Sequence, residues 1–236
     1  VAAREAWVQG GGAPAPQQRP SLVRRPRGSP QHSEVNARTR HGATCQMTIF
    51  APQQFAHLRS ILGLSDNAFW SSLCNADLQG GHTEASGKSG STFWYTADRL
   101  LVLKSLTKSE LHTLLEGLSA YTQHFASHKN SLLCRFFGAF ELRLDRQRCS
   151  CVVMNYCFAG SRLQPHVVYD LKGTTEDRWV NPRPGVVLKD LNFADKIIGI
   201  ADFRYQVEIL HALKTDIKFL RDQNVMDYSV CLGEAL

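Results

Sequence analysis

No stretch of 18 consecutive apolar residues occurs in this 236-residue sequence, so no segment reads as a transmembrane helix. The first twelve residues, VAAREAWVQGGG, hold no apolar signal core. Neither an Asn-x-Ser/Thr acceptor nor a Cys-x-x-Cys pair is present. The seven cysteines (45, 74, 134, 149, 151, 157 and 231) are odd in number, which argues against a disulfide framework and a zinc ribbon. The expectation is a reducing, intracellular setting with each cysteine acting as a small core hydrophobe. Acidic residues are scarce in the first 44 positions, where two glutamates meet seven arginines, and +5 of the chain's +6 resides there. A nucleic-acid-binding domain concentrates positive charge on its folded part, so nucleic acid is not expected as a partner.

Hydrophobic residues make up 43% of the chain, enough for a packed core. GGGAPAPQQRP holds only two alanines and RRPRGSP no hydrophobic residue, too little to bury, and residues 1–44 read as a disordered tail that could be attracted weakly to an anionic surface. Residues 45–236 read as the folded part. Phe55, Leu58, Ile61 and Leu62 recur at helical spacing, and SDNAFWSSLCN reads as a second helix capped by Ser65 or Asp66. TFWYT and RLLVLKSL read as a hairpin joined at Ala97-Asp98. Thr107-Lys-Ser-Glu110 has capping-box spacing and opens a helix to about Ser127. CRFFGAFELRL and CSCVVMNYCF read as strands, the second apolar enough to be central. FRYQVEILHALKTDIKFLRDQ reads as an amphipathic helix, and NVMDYSVCLG as a loop entering a strand. The fold class is α+β, an antiparallel sheet with packed helices.

Ser86-Gly-Lys-Ser-Gly-Ser91 is a loop of small residues whose backbone N–H groups can approach phosphate closely. It is not a Walker loop, because five residues rather than four separate Gly81 from Gly87 and a strand follows. The protein-kinase G-x-G-x-x-G is absent as well. Lys104 closes the apolar run Leu100–Leu103, and burying an unpaired ammonium is costly. It either reaches water at the strand end or holds nucleotide phosphates beneath the glycine-rich loop. Glu110 and Glu116 on the next helix are its candidate partners. Asp227 follows a long helix: it is a turn residue or a carboxylate that orients a hydroxyl or a metal. Asp170 with Lys172, and Lys189 with Asp190, each join opposite charges in one short loop. His124 and His128 lie one turn apart with no completing ligand, and read as surface residues.

From about residue 50 onward these residues resemble the phosphatidylinositol phosphate kinases. The matching pieces, in order, are AP-x-x-F-x-x-LR (51–59), SLCN (72–75), SGKSGSTF (86–93), DRLLVLKSLTKSE (98–110), LLCRFFGAF (132–140), VVMN (152–155), YDLKGTT (169–175), VVLKDLNF (186–193) and VMDYS (225–229). The resemblance implies a two-lobed lipid kinase that uses ATP and Mg²⁺ to phosphorylate a phosphoinositide headgroup, a cytoplasmic enzyme peripheral to anionic membranes. The expected reaction is phosphatidylinositol 4-phosphate to the 4,5-bisphosphate, although SGKSGS and NVMDYS are also similar to the branch acting on phosphatidylinositol 3-phosphate. By position, Gly87, Ser89, Gly90 and Ser91 correspond to the nucleotide flap and Lys104 to the phosphate-binding lysine. Asp227, Asp170 and Lys172 correspond to catalytic residues, and the metal ligands stay unassigned.

The chain departs from the family pattern in four places. Thr174 stands for serine, Asn192 for a carboxylate in LKDLN-F, and Val230-Cys231 for two leucines in MDYSLL. No I-I-D segment or activation loop follows before Leu236. Residues 45–236 are therefore expected to form a partial kinase domain with its C-terminal part missing, inactive or nearly so as it stands. The alternative is a pseudokinase or scaffold that binds nucleotide or protein partners.

Overall fold

The computed structural model describes residues 7–9, 32–38, 44–83, 90–144, 147–200 and 202–235. Its elements run β1 (Trp7–Gln9), β2 (His32–Arg38), β3 (Thr44–Phe50), α1 (Pro52–Ile61), α2 (Asp66–Cys74), β4 (Gln79–Thr83), β5 (Thr92–Tyr95) and β6 (Leu101–Leu106). After these come α3 (Lys108–Ser127), β7 (Phe136–Leu144), β8 (Gln147–Asn155), β9 (Val167–Leu171), α4 (Asp190–Phe193), α5 (Phe203–Asp222) and β10 (Ser229–Glu234). Seven strands form one antiparallel sheet in the order β2-β3-β7-β8-β6-β5-β4, and three form a second in the order β1-β10-β9.

The expected hairpin is β5–β6. Its turn is set by Asp98, whose Oδ1 accepts from Thr96 Oγ1 (2.6 Å), Ser72 Oγ (2.9 Å) and the Leu100 N–H (3.1 Å). Burial opposes the charge on Asp98, but these donors hold its carboxyl below the usual range. The apolar strand β8 is central, with Cys151, Val152, Val153 and Met154 all buried. Burial on both faces of the sheet explains its unbroken apolar run. Phe69 of α2 packs with Leu101, Leu103, Phe140 and Val153 on one face. On the other, Val102, Cys134 and Met154 cluster beside Phe93 and Tyr95. A third cluster joins α1, α3 and β7 to Leu220 of α5, with Val225, Tyr228 and Val230 packed against it, so the second sheet is anchored to the first by shared apolar packing.

Ser65, not Asp66, caps α2, accepting from the Ala68 N–H at 3.2 Å. The amphipathic α5 forms as expected. Its inward residues Ala212, Asp216 and Leu220 follow one another at four-residue spacing, while Phe203, Val207 and Leu210 are exposed. No helix among the described residues is long and apolar enough to cross a membrane.

The expected disordered tail over residues 1–44 is corrected at two places. β2 pairs with β3 from His32↔Phe50 to Arg38↔Thr44, and β1 pairs with β10. His32–Arg38 contains neither proline nor glycine, and an edge strand is recruited through backbone hydrogen bonds that need little apolar content. The rest of 1–43 lies outside the described residues.

Candidate functional site

Strand alternation decides where Lys104 points. Leu101 and Leu103 go to the Phe69 core, so Val102 and Lys104 share the opposite face. Lys104 pairs across the ladder with Phe93 on one side and Val152 on the other. The next residues start α3, where the predicted capping box forms. Thr107 Oγ1 accepts from the Glu110 N–H (3.2 Å) and Glu110 Oε2 accepts from the Thr107 N–H (2.7 Å). The other oxygen of the same carboxylate, Oε1, lies 3.7 Å from Lys104 Nζ. Glu110 is therefore both the cap and the partner of the lysine, whereas Glu116 pairs with His112 at 3.4 Å.

The flap is described only at its end. Gly87 and Ser89 lie outside the described residues. Gly90 has φ +62°, a left-handed conformation that glycine adopts without strain. Ser91 is buried, and the Thr92 N–H donates to Ser105 Oγ at 2.8 Å, tying the start of β5 to β6 one residue beyond Lys104.

The remaining candidates belong to the three-stranded sheet. Leu171 of β9 pairs with Val230 of β10, and Asp170 with Cys231. The chain leaves β9 toward Lys172 at the end where it enters β10 from Asp227, so the register brings Asp170, Lys172 and Asp227 to one end of this sheet. Asp227 is exposed, has φ +57°, and its carboxylate makes no hydrogen bond or ion pair among the described residues. Lys104 is on the other sheet. Cys134 is near both sheets: burial first and Cys231 second push its thiol up to about 12, against a lowering contribution from Lys104.

Asp170 is held by a residue that the sequence reading does not single out. Arg178 NH2 donates to Asp170 Oδ2 (2.8 Å) and to the Asp170 carbonyl, while its Nε donates to Asp190 Oδ2 at 2.7 Å. Asp190 Oδ1 accepts from the backbone N–H groups of Lys172 (3.0 Å) and Gly173 (2.7 Å). The Lys189-Asp190 pair is thus not a solvated turn: Asp190 is the post around which the 170–173 loop is wound. Burial opposes its charge, but Arg178 and the Gly173 N–H hold its carboxyl below the ordinary range.

Asn192 also has a structural explanation. Its Nδ2 donates to the Val180 carbonyl (2.9 Å) while Oδ1 accepts from the N–H groups of Val180 and Lys189, both at 3.2 Å. A carboxylate could not make the first bond. His124 is corrected from surface to core. It is 6% exposed, and its Nε2 sits 2.6 Å from Asp216 Oδ1, while His128 is exposed as expected. Asp216 is fully buried and also accepts from Ser131 Oγ (2.8 Å) and the Leu132 N–H (2.7 Å). An acceptor 92 residues away in sequence buries the histidine, which spacing on α3 alone cannot reveal.

Among the described residues no three His, Cys, Asp or Glu side chains come together to hold a metal. Asp170 and Asp190 spend their charge on Arg178, so the described residues do not make up a Mg²⁺ site. An apolar cavity lined by Phe55, Phe69, Trp70 and Phe140, with Arg59 and Asp66, opens on the α2 face of the sheet, opposite Lys104.

Residues 78–235 match the family described as Phosphatidylinositol-4-phosphate 5-Kinase. The chain is 35% identical over 195 residues to phosphatidylinositol 4-phosphate 5-kinase 7 of Arabidopsis thaliana, covering 78% of this chain and 24% of that protein. It is 32% identical over 225 residues to the human phosphatidylinositol 4-phosphate 5-kinase-like protein 1, covering 90% and 55%. Phosphatidylinositol 5-phosphate 4-kinase type-2 gamma of Xenopus tropicalis is 32% identical over 190 residues, covering 78% and 44%. The chain thus spans between about a quarter and about half the length of these curated relatives.

Proposed function

Because the chain belongs to the phosphatidylinositol-4-phosphate 5-kinase family, we propose that it serves ATP-dependent phosphorylation of a phosphoinositide headgroup at an anionic, cytoplasmic membrane surface. The proposed reaction converts phosphatidylinositol 4-phosphate to phosphatidylinositol 4,5-bisphosphate. The observation that carries this reading is the strand lysine paired with a helix carboxylate, Lys104 with Glu110, at the foot of the glycine-rich loop. Lys104 binds the nucleotide phosphates, and Glu110 keeps its ammonium aimed. Gly87, Ser89, Gly90 and Ser91 serve in binding the nucleotide. The substrate hydroxyl attacks the γ-phosphorus, the bond to ADP breaks, and Asp227 takes the hydroxyl proton. Asp170 and Lys172 position the reacting groups. The regiochemistry rests on the family match and on the name of the Arabidopsis relative. The Xenopus relative bears the name of a 4-kinase, so the choice of hydroxyl is the point to test.

Labelled ATP is supplied to the protein extended beyond Leu236, with vesicles carrying, separately, the 3-, 4- and 5-monophosphates of phosphatidylinositol. Product is expected from the 4-phosphate, and Lys104→Ala or Asp227→Asn should each lower it by about 10²–10⁴-fold. Undiminished transfer in both variants refutes the site. Nucleotide binding with no transfer to any lipid favours the scaffold reading.

A further inference from the structure

Cys157 and Cys231 are separated by 74 positions in sequence, yet their sulfurs lie 3.9 Å apart. Cys157 sits in the turn that leaves β8, where the Ala159 N–H donates to the Tyr156 carbonyl at 3.0 Å. Cys231 is the second residue of the Val230-Cys231 departure from the MDYSLL pattern, and it pairs with Asp170 across the sheet. The contact is held in place by its neighbours. Phe158 is buried against Gly233, so closely that a Cβ there would stand 2.5 Å from the phenyl ring, and Pro165 closes the other side at 3.0 Å. The turn after the seven-stranded sheet is thereby clamped onto the strand of the three-stranded sheet that follows Asp227.

We propose that Cys157 and Cys231 form a dithiol site for exchange with low-molecular-weight disulfides of the glutathione class. Cys157 is half-buried and Cys231 is 8% exposed, so Cys157 is the point of entry and Cys231 the resolving thiol. The Cys157 thiolate attacks one sulfur of glutathione disulfide, whose S–S bond breaks to release one glutathione. The Cys231 thiolate then attacks the Cys157 sulfur and expels the second glutathione. Two cysteine thiols lose two electrons and two protons in all, and one glutathione disulfide becomes two glutathiones. To bond, the sulfurs close from 3.9 Å to about 2.05 Å. The remaining cysteines lack such a neighbour in the described structure: Cys134, for instance, has Met154 Sδ at 3.4 Å, which cannot be exchanged.

The thiol of Cys157 is pushed up first by its hydrogen bond to Cys231 and then by burial. Formation is therefore slow at neutral pH and faster as pH rises. Once formed, the bond ties the connection between the sheets to β10.

The test needs neither lipid nor nucleotide. The intact chain is incubated with glutathione disulfide at two pH values in native buffer, alkylated and mapped by mass spectrometry. The expected major product is a Cys157–Cys231 cross-link that dithiothreitol reverses. In Cys231→Ser, a glutathione adduct should accumulate on Cys157 instead. Recovery of both thiols unmodified while exposed Cys74 is glutathionylated overturns the proposal. So does a cross-link that forms as fast in denaturant as in buffer. The wild-type map decides the question even where a serine variant folds poorly.

Discussion

Replacing Arg178 by alanine tests whether the loop bearing Asp170 and Lys172 is assembled from outside itself. The guanidinium makes three charge-assisted bonds, two to Asp170 and one to Asp190. Such bonds contribute about 1.5–3 kcal/mol each, an upper sum that water reduces. The Asp170 side chain is 31% exposed and can rehydrate, whereas that of Asp190 is 14% exposed and cannot do so fully. Breaking a buried pair costs about 3–5 kcal/mol, so the expected loss is near the lower end, about 3 kcal/mol. At about 2–4 °C per kcal/mol for a chain of this size, Tm should fall by about 6–12 °C. Arg178→Lys keeps the charge but loses the fork, and should recover only part. The Asp190 carboxyl is held below its ordinary value, so its contribution is complete above about pH 4 and disappears as pH falls through the lower folded value. Denaturant titrations between pH 7 and pH 3 should therefore show the wild type losing an increment that Arg178→Ala never had. A loss under about 0.5 kcal/mol in Arg178→Ala, with an unchanged acid limb, would refute the reasoning.

Two further substitutions probe the frame. Asp216→Ala strands His124, Ser131 and the Leu132 N–H in the core and should cost about 3–5 kcal/mol by chemical denaturation. A neutral result would mean that water replaces the carboxylate. Gly233→Ala drives a methyl into Phe158 and should cost about 1–3 kcal/mol, measured as a lower urea midpoint; an unshifted midpoint would show that the Phe158 ring swings aside freely.

Elements with a local cause are readable from the chain. Alternation in Leu101–Leu106 aims Lys104, the capping box starts α3, and the unbroken apolar run of β8 marks the middle of the sheet. The parts that escape reading depend on distant partners. His124 is buried because Asp216 waits on α5, and Asp190 looks like a turn residue until Arg178 and the Lys172 and Gly173 N–H groups converge on it. β1 is only three residues long and β2 holds only Val35 and Ala37 as apolar residues, so neither announces itself, and each is recruited by an edge that another part of the chain provides. Cys157 and Cys231 are indistinguishable from ordinary core thiols until the two sheets are folded against each other.

Glu110 shows how one residue can satisfy two patterns that look like competitors in sequence. At N3 its carboxylate is favoured by the positive end of α3 and by the Thr107 N–H, independently of any lysine. That local arrangement fixes Oε2 and leaves Oε1 turned toward Lys104 at 3.7 Å, within ion-pair range but beyond a hydrogen bond. The ammonium makes no hydrogen bond among the described residues, so its three donors stay uncommitted there while the carboxylate limits the cost of its burial. A tighter salt bridge would occupy one of those donors, and a helix start without the cap would let the carboxylate wander. The geometry of the candidate phosphate-binding lysine is thus set by a helix-capping interaction three residues wide, and Thr107, which touches no ligand, belongs to the machinery that aims it.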